Sequence, residues 1–110
     1  MKETQLLKGV LDGCVLAIIA EEEIYGYELV QRLKAAGFQT IIGGTIYPLL
    51  QKLEKNGFID GEMKKSPEGP DRKYFTITAE GQAYLSGFKN QWQELVGKVD
   101  RLMEGADKHV

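Results

Sequence analysis

The last third of the chain carries apolar residues that recur every three or four positions. The C-terminal stripe consists of Leu85, Phe88, Trp92, Leu95, Val99 and Leu102. This spacing is typical of a coiled-coil helix and predicts a helix over about 79–104, with Thr78 as its N-cap. Gly97 lies inside that helix and costs about 1 kcal/mol relative to alanine. We therefore expect the helix to pack on the first helix and on a second subunit; the competing interpretation is the core stripe of a monomer.

Size and composition limit the class of protein. A chain of 110 residues is the size of one domain with a modest core, for which pairing of subunits is a natural supplement. Hydrophobic residues at 43% and charged residues at 27% exclude a disordered or fibrous chain. The longest apolar run, 14–20, is about a third of a membrane span, and the N-terminus has no signal-peptide pattern. Cys14 is the single cysteine, so we expect a cytoplasmic protein without disulfides or membrane contact.

Upstream of the stripe, periodicity predicts three helices and a hairpin. The helices cover about 5–20, 26–36 and 45–56, and the strands cover 58–64 and 72–78. Two prolines and a glycine within 66–71 predict a loop too long for a two-residue turn. This order predicts a mainly α fold with a small β-hairpin wing. It corresponds to a winged helix-turn-helix domain over 1–78 followed by a C-terminal dimerisation helix over 79–110.

Glycines and a proline set the predicted ends of these helices. Gly37 ends the second helix. Gly43 and Gly44 are expected to break the periodicity and to let the chain turn before the third helix. Pro48 then falls in the first turn of that helix, where a missing N–H costs little.

The third helix and the wing carry the residues predicted to bind DNA. In a winged helix-turn-helix protein the third helix enters the major groove, and the wing contacts neighbouring phosphates. The helix positions not needed in the core are Thr45, Tyr47, Gln51, Lys52 and Lys55, whose polar groups suit base edges and phosphates. The wing adds the cations Lys64, Lys65, Arg72 and Lys73. The competing interpretations are ordinary solvated lysines on the helix and protective charges on a strand edge.

Five segments of the chain form a set of motifs. They are YGYEL at 25–29, GTIYPLL at 44–50, LEKNGFI at 53–59, GPDRKYF at 69–75 and ITAEG at 77–81. Together they resemble the PadR-like transcriptional regulators in their short form, although the family often has a second basic residue where Asp71 stands. The resemblance implies a homodimeric repressor that binds pseudo-palindromic operator DNA. Such repressors often control their own gene or a neighbouring transporter or detoxification gene.

The resemblance also implies a dimer interface built from the first and last helices, where some members hold an effector. The residues assigned to this interface are Leu7, Leu11, Leu85, Leu95, Val99 and Leu102. Trp92 matches a tryptophan common in the last helix of the family, which stacks on flat aromatic ligands in certain multidrug-responsive members. Trp92 and Phe88 are therefore the candidate contacts of a small hydrophobic or aromatic effector, and packing within the stripe is the competing role.

The inventory of reactive groups argues against an enzyme. The chain has one cysteine, one histidine (His109, next to the C-terminus) and no phosphate-binding loop. The dense acidic cluster 21–23 consists of adjacent residues that point in different directions. We expect no catalytic residue, no metal site and no cofactor. The alternative function is a winged-helix protein-interaction module without DNA binding, which the net charge of −2 and Asp71 favour slightly.

Overall fold

Helices flank a small antiparallel sheet in the computed structural model, which describes residues 3–108. The elements are α1 (Glu3–Leu7), α2 (Leu11–Glu21), β1 (Ile24–Tyr25), α3 (Gly26–Ala35), α4 (Gly43–Lys55), β2 (Ile59–Ser66), β3 (Gly69–Ile77) and α5 (Ala79–Asp107). This is the winged helix-turn-helix arrangement that the sequence predicts, with α3 and α4 as the helix-turn-helix and β2–β3 as the wing. No helix within 3–108 is both long and apolar enough to cross a membrane.

The predicted first helix, 5–20, is wrong in one respect, because it is two helices. Gly9 has a φ of 95°, in the left-handed region that favours glycine, and the chain turns there between α1 and α2. The backbone N–H of Val10 donates to the carbonyl of Leu7 across this turn, at 2.9 Å. The helical path is therefore interrupted between α1 and α2.

The predicted start of the third helix is also wrong by two residues. Gly43 and Gly44 form the first turn of α4 rather than a break before it, and Ile42 is the N-cap in extended backbone. Pro48 consequently lies in the second turn, where its missing N–H leaves the carbonyl of Gly44 without the usual helical donor. Both residues are exposed, so water can satisfy that carbonyl. Gly37 ends α3 as predicted, with a φ of 110°.

The sheet has three strands in the order β1-β3-β2, all antiparallel. The short strand β1, in which Ile24 pairs with Phe75, was not predicted from the sequence. The predicted long loop between the wing strands is wrong, because β2 and β3 extend to a two-residue connection at Pro67 and Glu68. The register is irregular between Lys64 and Ser66, beside this turn, where prolines are tolerated.

Thr78 joins the end of α4 to the start of α5. Its side-chain oxygen accepts a hydrogen bond from the Gly81 N–H at 3.0 Å, as predicted for an N-cap. The same hydroxyl donates to the carbonyl of Gly57 at 2.6 Å, directly after α4. The beginning of α5 is therefore fixed to the helix-turn-helix.

The core lies between α2, α3, α4 and the sheet. Its fully buried side chains are Val15, Leu16, Ile19, Leu29, Leu33, Ile46, Leu50, Leu53 and Ile59. Leu85 of α5 joins this core at 4% exposure, and the Phe88 ring packs on Gly13 of α2. A helix of 29 residues is about 44 Å long, so most of α5 continues beyond the core. The principal extents of 60 × 29 × 20 Å reflect this projection.

Candidate nucleic-acid interface

The outer face of α4 is a stripe of exposed residues opposite the core. The inner face buries Ile46, Leu49, Leu50 and Leu53 at the spacing of a helical face. The residues at the same spacing on the opposite side are Gly44, Pro48, Gln51 and Lys55, all of them exposed. Gln51 and Lys55 were predicted from the sequence, whereas Gly44 and Pro48 were missed because they carry no polar side chain. Their spacing of four, three and four residues is the signal that identifies this outward stripe.

Tyr47 lies on the flank of α4 that faces the wing. Its ring contacts Gly26 at the start of α3 and Gly43 in its own first turn, where side chains would collide with it. Half of the tyrosine remains exposed, at 50%. The two glycines therefore leave room for the ring against the backbone, and one edge of the ring remains available to a ligand.

Thr45 and Lys52 lie on the opposite flank of α4, towards α2. The Lys52 Nζ donates to Asp12 Oδ2 at 2.8 Å, and this hydrogen bond raises the pKa of the Lys52 ammonium. Thr45 lines a cleft of about 380 Å³ together with Asp12, Thr40 and other residues of α1, α2 and the α3–α4 loop. Lys52 is thus turned towards α2 rather than straight out from α4.

The predicted wing cations differ in their surroundings. Lys64 Nζ contacts both carboxylate oxygens of Glu23 at 2.7 Å, and the pKa of Lys64 is raised, mainly by this hydrogen bond. The Arg72 guanidinium stacks over the Tyr25 ring at 4.5 Å. Lys65 is exposed near the wing tip.

Lys73 points to the other side of the wing, towards α4. Its Nζ donates to Glu54 Oε1 of α4 at 2.7 Å. Tyr47, Gln51, Glu54, Arg72 and Lys73 line a cleft of about 310 Å³ between α4 and the wing. The structure therefore brings four of the predicted residues, Tyr47, Gln51, Arg72 and Lys73, around one opening. The other predicted residues, Thr45, Lys52, Lys55, Lys64 and Lys65, do not line it.

The charge balance of this surface is modest. Carboxylates hold three of the predicted cations, namely Lys52, Lys64 and Lys73. None of the ion pairs found among residues 3–108 involves Lys55, Lys65 or Arg72. These internal pairs were not predicted, because their partners are 19 to 41 positions apart in the sequence.

The candidate effector residues border an apolar hollow between α1, α2 and α5. Its volume is about 380 Å³, and Leu6, Val10, Cys14, Phe88 and Trp92 are among its lining residues. Burial raises the pKa of the Cys14 thiol, which favours the neutral form. Trp92 is 46% exposed, so one side of the hollow is open to solvent.

The predicted interface residues fall into two groups. Leu7 and Leu85 are buried in the core of the subunit itself, and Leu11 is partly buried against that core. Leu95, Val99 and Leu102 are exposed on α5, at 51%, 44% and 71%. The side chains of Leu7 and Leu85 are therefore not available to a partner, since the core of their own subunit already covers them.

No metal site is found in the part of the chain that the structure describes, where no three His, Cys, Asp or Glu side chains cluster. His109 lies outside these residues.

Comparison with known proteins gives consistent matches over most of the chain. A family model described as the transcriptional regulator PadR-like family matches residues 15–87. A crystal structure of a Streptococcus transcriptional regulator is 61% identical with a TM-score of 0.81, and the match covers 89% of this chain and 96% of that one. A PadR-like transcriptional regulator from Bacillus cereus is 46% identical with a TM-score of 0.82, covering 90% and 96%. A transcriptional regulator of Mycobacterium tuberculosis is 31% identical over 77% of this chain and 78% of its own.

Proposed function

The chain belongs to the PadR-like family of transcriptional regulators, and from this premise we propose that it is a homodimeric repressor of pseudo-palindromic operator DNA. Membership makes it a DNA-binding regulator of transcription, and proteins of this family are not enzymes. The family assignment favours this function over the protein-interaction module. The proposed target is the protein's own gene or a neighbouring transporter or detoxification gene, and the proposed location is the cytoplasm.

The observation that carries the proposal is the cleft between α4 and the wing. Candidate residues of both elements surround this one opening, and the outward stripe of α4 lies beside it. In the proposed complex α4 enters the major groove, where Gln51 and Lys55 face base edges, and Thr45, Tyr47 and Lys52 contact bases or phosphates from its two flanks. The wing contributes Lys65, Arg72 and Lys73 to backbone phosphates.

Dimerisation is proposed through the exposed part of the C-terminal stripe. Leu95, Val99 and Leu102 form an apolar face on α5 beyond the core, and Leu11 is partly exposed on α2. Burying such a face against a second copy would remove this apolar surface from water. We accordingly assign DNA binding to residues 1–78 and dimerisation to 79–110. Two α4 helices in successive major grooves would then lie about 34 Å apart.

An effector is proposed for the apolar hollow beside Trp92. A flat hydrophobic or aromatic molecule would contact Trp92 and Phe88 there and would change the spacing of the two α4 helices. The expected signature is a change in Trp92 fluorescence together with weaker operator binding. Unchanged fluorescence across a panel of such compounds would contradict an effector of this chemistry.

The repressor function is tested by fluorescence anisotropy with duplex DNA from upstream of the protein's own gene. We expect tighter binding to this DNA than to a scrambled duplex, with a steep negative dependence on salt because phosphate contacts release counterions. Light scattering of the free protein should give the mass of a dimer. Binding with no salt dependence to any duplex, or a monomeric mass at the working concentration, would contradict the proposal.

A further inference from the structure

We infer that Glu54 is an affinity-determining residue of the DNA interface, which competes with DNA phosphate for Lys73. The inference rests on the proposed function, since it assumes that the cleft between α4 and the wing meets the DNA backbone. It assigns a role to an acidic residue on the helix that enters the groove.

The Glu54–Lys73 ion pair spans the cleft from α4 to β3. The two charged groups are 2.7 Å apart, and their side chains are 32% and 45% exposed. The Lys73 ammonium also lies 5.6 Å from the centre of the Phe75 ring. The lysine is therefore held against the protein by a carboxylate and an aromatic face while remaining accessible to a competing anion.

Gly61 of β2 provides the room for this pair. A side chain at Gly61 would collide with the Lys73 stem and would lie 2.8 Å from Glu54 Oε2. A larger residue there would require the flexible ends of Lys73 and Glu54 to shift. The missing side chain at Gly61 thus leaves space for the partly exposed pair between α4 and the wing.

The location of the pair distinguishes it from the other ion pairs of the surface. Asp12 draws Lys52 towards α2, and Glu23 holds Lys64 on the opposite side of the wing. Glu54 lies in the cleft itself, beside Tyr47 and Gln51. A phosphate that enters this cleft meets the Lys73 ammonium and the Glu54 carboxylate together.

Because the Lys73 ammonium is already paired with Glu54, a phosphate that binds it must compete with that carboxylate. When the ammonium moves from Glu54 to the DNA, the carboxylate remains unpaired beside a polyanion, which is unfavourable. Glu54 thus lowers the affinity for any duplex and keeps Lys73 from acting as an unconditional phosphate contact. Non-specific binding consists almost entirely of phosphate contacts. The affinity for non-specific DNA is therefore the most direct measure of how much Glu54 weakens binding.

The test compares Glu54→Gln with wild type on a mixed-sequence 30-base-pair duplex (about three helical turns), by anisotropy across a salt series. We expect Glu54→Gln to bind about three- to ten-fold more tightly near 0.1 M salt, since one lysine is released from its carboxylate. The slope of log affinity against log salt should also steepen, by at most about 0.9, the value for one phosphate contact that Glu54 no longer opposes.

Two controls separate competition from bulk charge. Asp60→Asn removes the same charge from an exposed position on β2 that has no ion pair among residues 3–108, and it reports the long-range effect. Comparing Lys73→Gln with the double variant Glu54→Gln/Lys73→Gln reports the effect of Glu54 when the lysine is absent. We expect that effect to shrink to the size of the Asp60→Asn effect.

Three results would overturn the inference while leaving the proposed function in place. They are an effect of Glu54→Gln no larger than that of Asp60→Asn, a gain that persists without Lys73, and weaker binding by a normally folded Glu54→Gln protein. Thermal melting checks the fold, which a half-exposed ion pair should affect little. If wild type itself binds no duplex in a salt-dependent manner, the proposed function fails first.

Discussion

Two helices of this protein have the same kind of apolar spacing, but their apolar faces differ in exposure to solvent. In α4 the apolar residues are buried, whereas in α5 beyond residue 88 Leu95, Val99 and Leu102 are exposed. The 13 residues of α4 are short enough to be covered along their length by the domain, while the 29 residues of α5 extend past it. Periodicity therefore identifies the apolar face of a helix, and the length of the helix relative to the core decides what covers that face.

The largest expected effect comes from removing a core side chain of α4. Leu50→Ala should lower the free energy of unfolding by about 2–5 kcal/mol, because a fully buried leucine leaves a cavity in the core. Urea denaturation measures this loss. In a monomeric background, Leu102→Ala should change the free energy by less than about 0.5 kcal/mol, since Leu102 is exposed. Equal losses at both positions would contradict the difference between the two helices.

A smaller effect is expected from a charge on the exposed apolar face of α5. Leu95→Glu should give folded monomers by light scattering, because it places a charge in the proposed interface. Operator affinity should fall about 100-fold, as each α4 would then bind its half-site without the benefit of the other. Asn90→Glu, on the opposite side of α5, is the matched control and should remain dimeric. A Leu95→Glu protein with the mass of a dimer would rule out this part of the stripe as the interface.

A smaller effect is expected at the flank of α4 that faces the wing. Tyr47→Ala should weaken operator binding about tenfold without unfolding the dimer, because the ring leaves its place over Gly26 and Gly43. Anisotropy measures the affinity, and thermal melting checks the fold. Tyr84→Ala, which removes another exposed aromatic ring, packed on Phe58, serves as a control for the loss of a surface ring. Unchanged affinity of the Tyr47 variant would remove this residue from the DNA-binding surface.

The smallest effect distinguishes the two lysines near the end of α4. Lys52→Ala should weaken operator binding about threefold, less than Lys55→Ala, because Asp12 holds the Lys52 ammonium towards α2. The comparison requires both variants in one salt series. A larger loss at Lys52 than at Lys55 would mean that Lys52 leaves Asp12 in the complex and that the outward stripe is not the main contact.

Local patterns in the sequence predicted most of the fold. The helices α3, α4 and α5 depend on apolar spacing and on caps such as Gly37 and Thr78, and their existence and approximate ends were predicted correctly. The break at Gly9 was missed because the apolar spacing continues through it, although a glycine within a helical pattern is itself a warning. The strand β1 was missed because two residues become a strand only by pairing with β3.

The candidate site was less accessible to sequence reasoning than the fold. Helical periodicity identified Gln51 and Lys55 as outward residues, and the structure agrees. It gave no indication that Lys52 and Lys73 are held by carboxylates from other elements, since such pairs depend on tertiary packing. The burial of Leu85 was likewise not predicted as such, because the stripe has the same spacing inside and outside the core.

The Thr78 hydroxyl bears on how a movement of α5 would reach α4. It ties the first turn of α5 to Gly57, directly behind α4, so the start of one helix is anchored to the end of the other. A molecule that wedges beside Trp92 and turns α5 would transmit part of that rotation to α4. Thermodynamic linkage makes such a coupling mutual: DNA held by α4 would oppose the entry of the molecule by the same free energy with which the molecule opposes DNA.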